Sequence, residues 1–192
     1  MKIHPSNMKI HPLVAAVLAL VSASASAQSS VTLFGVVDVN IRSVSNSGVA
    51  RNLTMSDDGL SSGRFGFRGV EDLGGGMKAS FWLESDLNVD SGTTNPNGKL
   101  FARRSTASLS GNWGELRLGR DLTPSGAHSY LYDPFGVIGA GSSTNTSRMA
   151  ALVPTYYRSD NAVQYFTPAM GGFQGQFTWA PDESGVNNVN RY

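Results

Sequence analysis

Arg64 and Arg68 stand four residues apart in SSGRFGFRGVEDLGGGMKASFWLESD, the stretch from Ser61 to Asp86. Successive side chains of an extended strand point to opposite faces, so Ser62, Arg64, Gly66 and Arg68 share one side while Gly63, Phe65, Phe67 and Gly69 share the other. Guanidinium groups stay charged at any physiological pH and present a fork of N–H donors. On a wetted face they attract and orient anions without making or breaking a bond. Bond-making chemistry has little to work with. The chain has no cysteine, and His128 is the only histidine outside the first 27 residues. A metal thiolate, a disulfide and a two-histidine metal centre are therefore absent from the mature sequence, and no cofactor is expected. Asp121 and Ser125 lie near His128, but proximity in sequence does not make a triad. Gly74-Gly75-Gly76 follows a strand without the spacing or the following helix of a nucleotide loop.

The arginines need strands to aim them. After the turn from Glu71 to Gly76, the second strand divides in the same way, with Met77, Ala79, Phe81 and Leu83 against Lys78, Ser80, Trp82, Glu84 and Asp86. Val31 to Arg42 alternates over its whole length. Leu100 to Ser110 and Gly114 to Arg120 form a hairpin about Gly111-Asn112-Trp113-Gly114, and Ala162 to Thr167 and Phe173 to Ala180 form another. Strict alternation gives Arg103 an outward parity and leaves Arg103 and Arg104 competing for the wetted side; a bulge or a strand end would settle which. The reading is seven strands, with polar loops at Ser43 to Leu60 and Asn88 to Gly98, and a polar tail from Pro181. Asp121 to Pro154 shows no sustained period, and a loop of that length is uncommon without a function. Short glycine turns alternating with long polar loops, on two-faced segments of about ten residues, fit an antiparallel transmembrane β-barrel.

Composition agrees without deciding. The 192 residues are 40% hydrophobic and 15% charged with 22 glycines, which suits a turn-rich β protein better than a helical bundle. Residues 1–27 read as a secretory signal: Lys2 and Lys9, the apolar run Leu13 to Val21, and Ala25-Ser26-Ala27 as the cleavage site. MKIHP occurs at Met1 and again at Met8, so either methionine can be the start. Taking Lys2 and Lys9 from the 15 basic residues leaves 13 against 14 acidic ones, a balance that gives no reason to expect nucleic acid.

Four stretches resemble the general porins of Gram-negative outer membranes, in the branch common in β-proteobacteria: SSVTLFGVVDVNI (Ser29 to Ile41), SGRFGFRGVEDLGGGMKASFWLES (Ser62 to Ser85), LFARRSTASLSGNWGELRLGR (Leu100 to Arg120) and SDNAVQYFTPAMGGFQ (Ser159 to Gln174). The resemblance implies an outer-membrane, all-β barrel of sixteen strands, about seven of them here, built as a homotrimer in lipid. It implies a water-filled channel for passive diffusion of ions and small hydrophilic solutes, narrowed by a third external loop folded inward. Residues 28–192 would be the N-terminal part of that barrel, a truncated or partial chain, with the pore loop at about 121–154. Arg64 matches one wall arginine, and Arg120 in LGRD resembles the arginine before the loop. Arg148 stands as a third, and Asp133 in YDPFG as the loop's acidic tip. Arg68 and Arg103 complete the expected pore lining. A secreted β-sandwich binding module is the alternative; it would bury the same apolar rows against a second sheet. A complete eight-stranded barrel is disfavoured, because its lumen is already full of side chains.

Overall fold

The computed structural model describes residues 30–94, 98–139, 141–142 and 157–181. The expected signal segment, Arg148, much of the long loop and the tail beyond Pro181 lie outside the described residues.

Nine strands and one helix are described. They are β1 (Ser30–Val36), β2 (Asn40–Val44), β3 (Asn52–Ser56), β4 (Arg64–Gly74), β5 (Met77–Asp86), β6 (Arg104–Gly111), β7 (Gly114–Leu122), α1 (Pro124–Tyr132), β8 (Arg158–Phe166) and β9 (Gln176–Trp179). Seven strands make one antiparallel sheet in the order β1-β4-β5-β6-β7-β8-β9, while β2 and β3 pair separately. The register carries the two-faced pattern across strand after strand: Arg68 faces Trp82, Trp82 faces Thr106, and Thr106 faces Gly119. On the other face Leu33 meets Phe67, and Phe67 meets Leu83.

Exposure inverts the usual globular order. The apolar face holds Leu33 at 68% exposed with Phe67, Phe81, Leu118 and Trp179 also open, while the only buried hydrophobic residues among those described are Ala102 and Ala162. On the opposite face the Arg103 side chain is 11% exposed. A sandwich would seal the phenylalanine rows in a core; here they face outward, as strands facing hydrocarbon do. At the end of the sheet that carries the short turns, Trp113 and Tyr165 stack with centroids 6.3 Å apart, and the Tyr165 hydroxyl donates to the Trp113 carbonyl at 2.6 Å. Amphipathic rings at such a border suit a membrane–water interface.

The last hairpin is shifted, its strands running Arg158–Phe166 and Gln176–Trp179 rather than Ala162 to Thr167 and Phe173 to Ala180, and three further sequence readings are corrected. Val31 to Arg42 is not one strand: β1 and β2 are separated at Val37-Asp38-Val39, and the polar loop from Ser43 contains β3. The β1–β4 ladder ends at Val36 opposite Arg64, and the β2–β3 ladder begins at Asn40 opposite Ser56. Residues 37–39 on one arm thus face the longer span 57–63 on the other. Asp38 closes this mismatch, its carboxylate accepting the Gly59, Leu60 and Ser61 N–H groups at 2.8, 2.9 and 3.0 Å. Second, the hairpin strand expected from Leu100 begins at Arg104. Third, Asp121 and Leu122 belong to β7, and the loop that follows opens with a helix.

Those backbone donors, led by Leu60, Gly59 and Ser61, hold the Asp38 carboxyl below the usual carboxylate range. A depressed folded value means that the stabilising contribution is complete above the unfolded value of about 3.9 and disappears as pH falls through the lower folded one. Asp38→Asn should accordingly raise amide exchange at Gly59 to Ser61 several-fold at pH 7 and leave the seven-stranded ladder protected. The difference from wild type should vanish only in strong acid. Equal exchange at pH 7 would show that the carboxylate does not hold this span.

Candidate functional site: an arginine-rich recess on the inner face

A recess of about 380 Å³ opens on the charged face, bounded by Phe34, Arg64, Arg68, Trp82, Glu84, Arg103, Arg104, Asp121, Leu122, Tyr130 and Arg158. The sheet supplies most of it, because the inward parity of β4, β5 and β6 delivers Arg64 and Arg68, Trp82 and Glu84, and Arg104 in adjacent rows. Gly66 creates room at the floor. A Cβ there would stand 2.3 Å from the Leu83 carbonyl oxygen and 2.7 Å from the Phe34 ring, so only glycine lets that ring lie across the strand.

Helix α1 brings Tyr130 to the same recess. Thr123 caps it by accepting the Gly126 N–H at 3.1 Å, and Pro124 occupies the first turn, where a missing N–H costs nothing. Its start is fastened to the chain entering β8. The Thr123 N–H donates to the Tyr157 carbonyl at 3.0 Å, and a Cβ on Gly126 would sit 2.3 Å from that same oxygen.

Acids pin several of the arginines. Arg103 donates from Nε to Glu84 at 2.6 Å and from Nη1 to Asp86 at 3.1 Å, while its backbone N–H bonds the Glu84 carbonyl at 3.1 Å. Arg64 approaches Glu84 more loosely, at 3.8 Å. Asp121, 7% exposed at its side chain, takes Arg117 at 2.6 Å and Arg104 at 3.4 Å. Arg117 also reaches Glu115 at 2.9 Å and lies over the Phe166 ring at 4.2 Å. Arg158 donates to the Arg103 carbonyl at 2.8 Å. Paired and hydrogen-bonded in this way, the charges can occupy a partly dehydrated wall. The arrangement holds guanidinium groups at fixed positions around open space, and the described residues that line it include no nucleophile and base in partnership.

Of the residues singled out from sequence, Arg64, Arg68 and Arg103 meet in this recess. Arg103 lies just before β6, so the parity rule does not govern it, and Arg103 and Arg104 both line the space. Arg120 does not. It pairs with Ser105 on the outward parity, and its guanidinium donates to the Ala102 carbonyl at 2.6 Å and to Asp160 at 2.8 Å. Asp160 is offered by a bulge: between the pairs Gly119–Ala162 and Asp121–Ser159, both Asp160 and Asn161 face Arg120 alone. Lys99 also bonds Asp160. Asp133 terminates α1, where its carboxylate accepts the Phe135 N–H at 2.7 Å, and it does not line the recess. Arg148 is outside the described residues. Sequence reasoning did not select Glu84, Asp86, Asp121 or Arg158 as site residues. The inward parity of Glu84 and Asp86 was legible, whereas Asp121 needed the true end of β7 and Arg158 the true start of β8.

A family model described as Gram-negative porin matches residues 14–192. Outer membrane porin protein 32 of Delftia acidovorans is 43% identical over 188 residues, covering 94% of this chain and 53% of that protein. An outer membrane porin of Bordetella pertussis is 35% identical over 96% of this chain and 51% of its own length. The solved anion-selective porin from Comamonas acidovorans superposes with a TM-score of 0.75 at 43% identity, covering 85% of this chain and 51% of that one. The chain thus spans about half the length of the curated relatives it matches. With outward apolar rows, inward guanidinium groups and a match along nearly its whole length, this chain belongs to the Gram-negative porin family.

Proposed function

We propose that the chain forms part of the wall and the inward loop of a water-filled outer-membrane channel, through which ions and small hydrophilic solutes pass by diffusion, with anions favoured. The observation that carries this reading is the balance of charge around the recess. Six arginines (Arg64, Arg68, Arg103, Arg104, Arg117 and Arg158) stand around or beside the recess with four carboxylates (Glu84, Asp86, Glu115 and Asp121). Such an excess in a channel raises the local anion concentration and orders polar solutes across the field. The anion selectivity named for the Comamonas acidovorans protein supports the same sign. No bond is made or broken, so the role is transport rather than catalysis. Asp133 and Arg148 remain proposed as loop charges facing this passage, on the strength of the family resemblance alone. The working assembly is a homotrimer in outer-membrane lipid, a proposal that rests on family membership.

The arginines do not contribute equally. Arg103 is neutralised by two carboxylates, whereas Arg64 keeps a looser pairing and faces the open recess. Arg64→Gln should therefore move the reversal potential in a planar bilayer toward cations, while Arg120→Gln, on the outward parity, leaves it unchanged. A shift from Arg120→Gln equal to that from Arg64→Gln would remove the distinction between the two faces.

Arg103→Ala should act on stability instead. It leaves Glu84 with the Trp82 indole N–H at 2.9 Å and the distant Arg64, and the loss of charged hydrogen bonds should cost about 1.5 to 3 kcal/mol, read as a lower urea midpoint in lipid vesicles. An unchanged midpoint would mean that water replaces Arg103 at no cost.

A further inference from the structure

Arg68 differs from its neighbours in what it touches. Its guanidinium carbon lies 5.4 Å from the centre of the Phe34 ring and 5.1 Å from that of Trp82. The two rings meet edge to face with centroids 5.1 Å apart, and Arg104 approaches Trp82 at 4.6 Å. Yet no carboxylate among the described residues stands within ion-pair distance of Arg68, whereas Arg64 and Arg104 each have one, Arg103 and Arg117 have two, and Arg158 spends its Nε on the Arg103 carbonyl. Arg68 is exposed to the recess, and its N–H groups make no hydrogen bond to the described residues. Among the described residues, two aromatic rings flank this cation and no carboxylate neutralises it.

Rings can hold the guanidinium in position, but they cannot accept its N–H donors as a carboxylate would. That fork, without a hydrogen-bond partner among the described residues, matches a carboxylate bidentately, and the flanking rings favour a flat apolar body behind that carboxylate. Tyr130 and Leu122 line the same recess, adding further apolar surface, and its volume of about 380 Å³ admits a single-ring solute. A chloride or sulfate ion would gain nothing from Phe34 and Trp82.

We propose that Phe34, Arg68 and Trp82 form a subsite for aromatic carboxylates on the channel wall, favouring solutes of the benzoate class over aliphatic anions of equal charge and size. This deepens the channel reading and rests on it, since the recess must open to water.

In the full-length protein refolded in detergent with Trp113→Phe and Trp179→Phe, the difference in emission from the same protein carrying Trp82→Phe isolates Trp82 as the reporter. Benzoate should change Trp82 emission saturably, and cyclohexanecarboxylate should bind about fivefold more weakly, the order of one aromatic contact. Arg68→Gln should weaken benzoate about tenfold or more, the cost of losing charged hydrogen bonds, and Phe34→Leu should erase most of the preference for the aromatic ring. Heat-modifiable gel mobility of each variant verifies that the barrel is intact. Equal affinity for benzoate and cyclohexanecarboxylate, or benzoate binding that survives Arg68→Gln, would overturn the subsite. Chloride conductance of the same preparation in planar bilayers separates the two readings. Conductance without discrimination sinks the subsite alone, and discrimination without conductance sinks the channel.

Discussion

A guanidinium group cannot be left facing hydrocarbon. Near the middle of a bilayer that placement costs about 2 to 4 kcal/mol per arginine, and because strand side chains alternate, slipping one strand by one residue would turn all its inward charges outward. The register therefore has to agree across the whole sheet. Arg64, Arg68, Arg104 and Arg117 keep one side from β4 to β7 while Leu33, Phe67, Phe81 and Leu118 keep the other, and Arg120, on the outward parity near the end of β7, is paired with Asp160. The remaining features of the structure work within that constraint, including the glycine that lets Phe34 cross the floor and the acids that hold the arginines in place.

Those acids separate three electrostatic conditions within one recess. Arg103 is bound to two carboxylates and acts as a strut between β5 and the start of β6. Arg64 shares Glu84 at the limit of an ion pair. Arg68 has only rings beside it among the described residues. A bound carboxylate cancels much of the field that a passing ion feels, so the charge available to solutes increases in that order although the residues are chemically the same. Counting arginines on a wall therefore overstates its attraction for anions unless each partner is counted too.

Alternation made the faces legible in the sequence, because the period of two is a local property of each strand. Interruptions were not legible. Nothing in VTLFGVVDVNIR announces that Val37-Asp38-Val39 leaves the ladder, since the cause lies some twenty residues away in the longer arm that Asp38 gathers. Likewise Arg120 was selected by its resemblance in LGRD, and the bulge that gives it Asp160 as a partner lies on the neighbouring strand. Helix α1 escaped because nine residues containing Gly126, His128 and Ser129 carry no amphipathic stripe; its cap and its anchor to Tyr157 define it. At the site, the direction of Arg64 and Arg68 was legible and their partners were not, because pairing depends on register between strands.

The same anchor explains how a long loop can contribute to a wall built by strands. β7 and β8 are adjacent, so the chain leaves and re-enters the sheet at neighbouring positions, and the Thr123-to-Tyr157 hydrogen bond joins exit to entrance at 3.0 Å. Closing a loop at its base removes most of the entropic cost of changing its length, which grows only with the logarithm of the number of residues. α1 starts at that base, one residue beyond β7, and places Tyr130 over the arginines before the chain has gone far. Among the described residues, the start of the loop is thus positioned by the sheet, through Thr123, Gly126 and Tyr157.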